Sequence, residues 1–187
     1  MTATKSKVTK ENNWTDIKKP LKHCSSADFL SLISELYGLS KTNKNFLEAR
    51  FLQTEETLDK YKDLVQKHVA PNEPWKNNQQ ISLKDAKKAI SDFKKASGDK
   101  LKLIDLMIHY VECGTEYTLQ YGDIDEQYYC SLESVFENAL KLMKQYEDSE
   151  IDDYYDRMDD IVTRAIEGWG YRDALSKMFN DAYPEYN

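Results

Sequence analysis

The sequence predicts an all-α fold, a single compact domain of about eight helices in helical-hairpin or solenoid-like packing around one central buried helix. Apolar residues recur at spacings of three and four along most of the chain, which is the period of one helix face. Two Gly-Asp junctions, Gly98-Asp99 and Gly122-Asp123, each separate two such runs. Glycine favours the position just after a helix and aspartate caps the start of the next, so the junctions indicate three consecutive helices. The chain has only 6 Gly and 4 Pro in 187 residues, which disfavours turn-rich β folds.

The N-terminal segment, residues 1–26, lacks this helical period and is rich in lysine. Its six lysines and two acidic residues give a net charge of +4, in a chain whose total is −7. Polar, charged segments that cannot bury apolar surface remain flexible. The sequence therefore predicts a flexible basic arm over 1–26 and an all-helical domain over 27–183.

Three helices are predicted between this arm and a polar, proline-containing loop over 71–80. The first is predicted to begin after Ser25 or Ser26 and to end at Gly38. The second is predicted to begin at Asn43 and the third at Thr54. Their apolar faces are Phe29, Leu30, Leu32, Ile33, Leu36 and Tyr37; Phe46, Leu47, Phe51 and Leu52; and Leu58, Tyr61, Leu64 and Val65. Each face is expected to pack against the rest of the domain.

The next two helices lie on either side of Gly98-Asp99. Ser82 and Asp85 form a near capping box before a helix with one apolar and one lysine-rich face. The stretch after Asp99 is apolar on nearly all sides, which predicts the central and most buried helix. Gly114 lies in its second half, where it is a kink, a break or a point of close packing.

Three further helices are predicted towards the C-terminus. The first begins with Asp123 and Glu126 as a capping box, and the second with Ser149 and Asp152. Gly168-Trp169-Gly170 ends the second, and the last helix follows from Tyr171.

Composition excludes several classes of protein. The N-terminus has no apolar run of the secretory kind, and no stretch approaches the roughly 18 apolar residues that span a bilayer. The lack of such a stretch favours a protein with no membrane partner. The three widely spaced cysteines are predicted to be free thiols, which favours a cytoplasmic protein. The net charge of −7 disfavours nucleic acid as a general partner.

A polar stripe is the strongest candidate for chemistry. Asp105, His109, Glu112 and Glu116 follow one another at spacings of four, three and four on the central helix. An imidazole between carboxylates can hold a metal or transfer protons, so the stripe is a candidate metal or catalytic site. The alternative is that it is only the polar side of a buried helix, where solvent or a partner meets it. No second helix offers a matching pair of histidines or a Glu-x-x-His motif, so no metal or cofactor is predicted.

Charged and aromatic surfaces are candidates for partner binding. Like charges four residues apart destabilise a helix, so the aspartates at 152, 153, 156, 159 and 160 require compensation. The candidate sources are Arg157 and Arg164, the lysine-rich face, or an external basic partner. The candidate partner-binding residues are Lys84, Lys87, Lys88 and Lys95; Asp152, Asp156 and Asp159; and Trp169 and Tyr171. Trp75, just upstream of the helix with the lysine-rich face, would also allow base stacking.

Five segments carry a family resemblance. They are LISELYGLSKTNKNFLEARF (32–51), ETLDKYKDLVQKHVAP (56–71), LKDAKKAISDFKK (83–95), YVECGTEYTLQYGDIDEQYYCSLESVFENALKLM (110–143) and GWGYRDALSKMF (168–179). Together they resemble a bacterial family, domain of unknown function family 6155, over Leu30 to Phe179, about four fifths of the chain. The resemblance implies a compact helical bacterial cytoplasmic protein. It supplies no catalytic residue.

The sequence thus favours a non-enzymatic protein–protein interaction or scaffold protein, which binds another protein or itself. The first alternative is a nucleic-acid-associated protein that uses the lysine-rich arm and the helix over 83–96. The second is a metal-dependent enzyme built on the polar stripe.

Overall fold

The computed structural model describes residues 13–52, 54–72 and 80–184. Within these ranges it contains nine α-helices, a short 3₁₀ helix at Gly168–Gly170 and no strand, which confirms the all-α class. The helices are α1 (Trp14–Leu21), α2 (Ser26–Leu39), α3 (Lys41–Phe51), α4 (Glu55–Val69), α5 (Leu83–Ser97), α6 (Lys100–Tyr121), α7 (Glu126–Met143), α8 (Asp148–Arg164) and α9 (Tyr171–Ala182). No helix of the described ranges is long and apolar enough to span a membrane.

The chain divides into two units, Met1–Lys44 and Asn45–Asn187. In the first unit, α1 begins at an Asn13 capping box and neither α1 nor α2 has a buried residue. Helix α1 lies within the predicted basic arm over 1–26 and was not itself predicted; Asn13 and Asp16 form the capping box at its start. Residues 1–12 lie outside the described ranges.

The second unit contains the hydrophobic core, and α6 lies at its centre. Ten residues of α6 are buried, and the helix contacts α4, α5, α7 and α8. The predicted central helix is confirmed. Because α6 contacts helices that are not its neighbours in sequence, the helical hairpins surround it instead of forming a linear stack.

Most predicted helix starts in this unit and before it are confirmed. The side chains of Ser25, Thr54, Ser82 and Asp99 each accept a hydrogen bond from the backbone N–H three residues later. Gly98 has a φ of 73°, the left-handed conformation that favours glycine after a helix.

Two boundaries around α2 differ from the prediction. Gly38 lies inside α2, which continues to Leu39. Asn43 lies inside α3, and its side-chain amide donates to the Leu36 carbonyl at 2.9 Å. Its side chain therefore satisfies the end of α2, while Ser40 Oγ accepts from the Asn43 N–H at 3.1 Å at the start of α3.

Two later helix starts are also shifted. Asp125, not Asp123, caps α7 and accepts from the Tyr128 N–H at 2.8 Å. Asp123 is engaged elsewhere, because its Oδ1 accepts from the Tyr129 hydroxyl at 2.6 Å. Helix α8 begins after Glu147, so Ser149 lies within its first turn.

Gly114 is a point of close packing, because α6 runs through it without a break. A Cβ atom at this position would lie 2.3 Å from Cδ2 of Leu132 on α7. The Tyr128 hydroxyl reaches the same region and donates to the Val69 carbonyl at 2.9 Å and the Gly114 carbonyl at 3.3 Å. The missing side chain thus allows α6 and α7 to approach closely.

Candidate functional site

The polar stripe of α6 is covered by basic side chains from α4 and α8. Arg157 donates through Nε and Nη2 to the two carboxylate oxygens of Glu112, at 2.7 and 2.8 Å. Its Nη1 donates to Asp105 Oδ1 at 2.7 Å. Lys62 Nζ donates to the other oxygen, Asp105 Oδ2, at 2.8 Å. Both carboxylates are therefore held in a bidentate ion-pair network that joins α4, α6 and α8.

The pKa shifts follow from this geometry. Burial raises the pKa of Asp105, but the hydrogen bonds from Lys62 and Arg157 outweigh it and hold that pKa below its ordinary value. Burial also disfavours the charge of Arg157, yet Glu112 and Asp105 keep the pKa of this guanidinium raised. Asp105 and Arg157 are therefore both charged near pH 7.

His109 and Cys113 are neighbours on the same helix. His109 Nε2 lies 3.4 Å from Cys113 Sγ. Burial, together with the positive charges of Lys62 and Arg157, lowers the pKa of His109, so the neutral ring predominates at pH 7. Burial and the Glu112 charge raise the pKa of the Cys113 thiol to about 12. A thiol in that state is a poor nucleophile, because the thiolate is the reactive form.

The stripe lacks the arrangement that a metal requires. The carboxylate oxygens of Asp105 and Glu112 already accept hydrogen bonds from Lys62 and Arg157, and Glu116 contacts Arg164. Across the described parts of the chain, no group of three or more His, Cys, Asp and Glu side chains could hold a metal ion. A cleft of about 360 Å³ lies beside His109 and Glu116, and Arg164 lines it together with them. Through these contacts the stripe joins α6 to α4 and α8.

The aspartates of α8 are compensated only in part by their own helix. Arg164, one of the candidate sources, pairs with Asp160 at 3.3 Å. Arg157 instead turns towards the carboxylates of α6. The candidate partner-binding residues Asp152, Asp156 and Asp159 are exposed.

The lysines of α5 lie at two different places on the surface. Lys87 and Lys94 line a groove between α5, α6 and α7, together with Lys100 and Lys141. The groove has a volume of about 760 Å³ and its apolar floor includes Leu103. The other three candidates, Lys84, Lys88 and Lys95, are exposed outside this groove, and Lys88 pairs with Asp92 at 2.5 Å. Trp75 lies outside the described residues.

The C-terminal aromatic candidates are separated by burial. Trp169 is exposed over 59% of its surface and has a φ of 55°, an uncommon conformation for a bulky residue. Tyr171 was expected on the surface, and this is wrong. It is fully buried, with its hydroxyl 2.8 Å from Thr115 Oγ1 and its ring packed on Tyr129.

One surface was missed by the sequence reasoning, which expected the apolar face of α2 to be packed. Fourteen large apolar residues of the described ranges are exposed, and nine of them lie between Trp14 and Leu39. Seven are on α2: Phe29, Leu30, Leu32, Ile33, Leu36, Tyr37 and Leu39. We call these seven side chains the α2 apolar surface. Every buried apolar residue of the described chain, by contrast, lies at Ala49 or later.

Comparison with known proteins does not identify a function for these surfaces. No family model, no curated protein and no solved structure matches the chain. The resemblance to domain of unknown function family 6155 stays a prediction.

Proposed function

We propose that this chain is a non-enzymatic protein-interaction module of the cytoplasm that binds through the α2 apolar surface. The observation that carries the proposal is the exposure of seven large apolar side chains on a single 14-residue helix. Contiguous apolar patches of this kind mark binding sites, because leaving them in water is unfavourable. Three unpaired cysteines support a reducing compartment.

The state of the polar stripe favours binding over catalysis. Arg157 and Lys62 neutralise Asp105 and Glu112, and Arg164 pairs with Glu116. His109 is neutral, and the thiol of the neighbouring Cys113 is protonated. A catalytic group needs a pKa near the working pH and free access to a substrate. The stripe instead fixes α4 and α8 against α6 and so holds the scaffold together.

A comparison of captured proteins tests the proposal. Ile33→Glu places a charge in the middle of the α2 apolar surface, and Ser34→Glu places the same charge one residue away, towards the opposite side of the helix. Affinity-tagged wild type and both variants are purified from the same cells, and co-purifying chains are quantified by mass spectrometry. We expect Ile33→Glu to deplete specific partners at least about tenfold, which corresponds to about 1.4 kcal/mol.

The Ser34→Glu variant is the control and is expected to retain the partners. Circular dichroism of both variants must show the same helix content. Equal recovery of every partner by the two variants would contradict the proposal.

A second candidate function is association with nucleic acid, which the four groove lysines favour. Each lysine that neutralises a phosphate releases a counterion and steepens the salt dependence of binding. If the groove binds generic duplex DNA, Lys87→Gln with Lys94→Gln is expected to reduce the slope of log K against log salt by about 2. Lys84→Gln with Lys95→Gln, on the same helix but outside the groove, is the matched control. Binding that does not respond to salt would rule this function out.

A further inference from the structure

We infer that the α2 apolar surface binds the same surface of a second copy of this chain, with the two helices antiparallel. The inference rests on the proposed function and names the partner. Its support comes from the rigidity of α2, the spacing of its apolar residues, the area that they expose and the charges at its two ends.

Helix α2 is held firmly at both ends. At the start, the Ser25 N–H donates to Asp28 Oδ2 at 2.8 Å and the Asp28 N–H donates to Ser25 Oγ at 3.2 Å. At the end, the Asn43 amide donates to the Leu36 carbonyl at 2.9 Å. A helix with a side-chain hydrogen bond at each end loses less conformational entropy when it associates.

The spacing on α2 is that of a two-helix coiled coil. Phe29, Ile33 and Leu36 are separated by four and three residues, the seam spacing of two interlocking helices. In an antiparallel pair, Ile33 packs against Leu36 of the partner subunit, and Leu36 packs against Ile33 of the partner subunit. The layers on either side of the two-fold axis are therefore equivalent, as a symmetric dimer requires.

The remaining apolar residues of α2 flank this seam. In the antiparallel arrangement, Leu30 lies beside Tyr37 of the partner subunit, and Leu32 lies beside Leu39 of the partner subunit. The residues on the far side of the helix are polar or small: Ser31, Ser34 and Gly38. The apolar residues thus form one continuous band that can pack against the same band of a second α2.

The exposed area is of the size that a dimer needs. The seven side chains expose between 37% and 75% of their surfaces. At about 200 Å² for a large apolar residue, they offer roughly 700 Å² per chain, close to the ~800 Å² per partner of stable interfaces. An α2 pair therefore buries enough surface for a dimer that dissociates on dilution.

Charge favours the antiparallel orientation. The first turn of α2 carries Asp28, and Lys41 follows its last residue by two positions. Antiparallel pairing brings the acidic end of one helix beside the basic end of the other and opposes the two helix dipoles. Parallel pairing would bring the two Asp28 carboxylates to the same end.

The mass of the full chain in solution tests the dimer. By light scattering after size exclusion, the wild type is expected at twice its 21.9 kDa chain mass and to approach the monomer on dilution. Ile33→Glu is expected to be monomeric at every concentration, while Ser34→Glu remains dimeric. A wild type that is monomeric at its highest soluble concentration overturns the inference, although loss of partners from Ile33→Glu would still support the proposed function. Dimers of equal strength in both variants also overturn it.

Cross-linking tests the orientation without a charged substitution. The background is Cys24→Ser with Cys130→Ser, because both of these cysteines are exposed. Chains with Leu32→Cys are mixed under oxidising conditions with chains carrying Leu39→Cys or Tyr37→Cys. Antiparallel pairing is expected to give the mixed disulfide with Leu39→Cys, whereas parallel pairing would give it with Tyr37→Cys. A mixed disulfide only with Tyr37→Cys, or with neither, overturns the antiparallel pair.

Discussion

Arg157→Ala is expected to lower the free energy of unfolding by about 2–3 kcal/mol. The substitution leaves Glu112 without its bidentate donor and Asp105 with Lys62 alone. Removing one member of a buried pair leaves an uncompensated charge, which costs about 3–5 kcal/mol when the pair is fully buried. Arg157 is 30% exposed, so the expected loss is smaller. Urea unfolding followed by circular dichroism measures it.

Arg164→Ala is the matched control on the same helix. Arg164 also pairs with two carboxylates, Glu116 and Asp160, but its side chain is 48% exposed. Exposed ion pairs contribute about 0–1 kcal/mol to stability, so the free energy of unfolding of this variant is expected to fall by less than about 1 kcal/mol. If the free energy of unfolding fell equally in the two arginine variants, the Arg157 network would not be the contact that fixes α8 to α6.

The pH dependence of the same variant gives an independent test. The folded-state pKa of Asp105 lies below the ordinary 3.8, because Lys62 and Arg157 outweigh the effect of burial. A depressed carboxyl pKa stabilises the folded state above the unfolded pKa, and this contribution disappears as the pH falls through the folded pKa. The stability difference between wild type and Arg157→Ala is therefore expected to narrow as the pH falls from 7 to below 4. A difference that stays constant over this range would show that Arg157 acts through packing alone.

The sequence predicted which side of each helix is apolar better than it predicted what that side contacts. The helical period was equally clear in α2 and α4. Yet Leu58, Tyr61 and Val65 of α4 are buried, whereas nothing on α2 is. Periodicity records only which side of a helix is apolar. Whether that side meets the protein's own core or another chain depends on contacts that are distant in sequence.

The polar stripe illustrates the same limit. Spacing placed Asp105, His109 and Glu112 on one face, and the structure shows them there. Their partner, Arg157, is 45 residues beyond Glu112, in a helix that the composition marked as acidic. Arg157 was predicted, together with Arg164, only as one candidate source of compensation for the aspartates of its own helix. Local start signals such as Ser82 and Asp99 were predicted correctly because they depend on neighbours only three residues away.

Gly114→Ala is expected to lower the free energy of unfolding by about 1–2 kcal/mol, although alanine is the better helix former by about 1 kcal/mol. The added methyl group would lie 2.3 Å from Cδ2 and 2.9 Å from Cδ1 of Leu132. Leu132 is fully buried, so its side chain cannot move away without displacing other core residues. Overpacking of this kind costs about 1–3 kcal/mol and outweighs the gain in propensity.

Gly38→Ala is the matched control, because Gly38 also lies inside a helix but has no atom within 4 Å of its added Cβ. It is expected to gain roughly 0.5–1 kcal/mol from helix propensity. A second test is the double variant: in a Leu132→Ala background, Gly114→Ala should no longer destabilise, because the two colliding methyl groups are gone. The resulting coupling in a double-mutant cycle identifies the contact. If Gly114→Ala instead stabilised the protein as much as Gly38→Ala, α6 and α7 would not be held at the close approach that the structure shows.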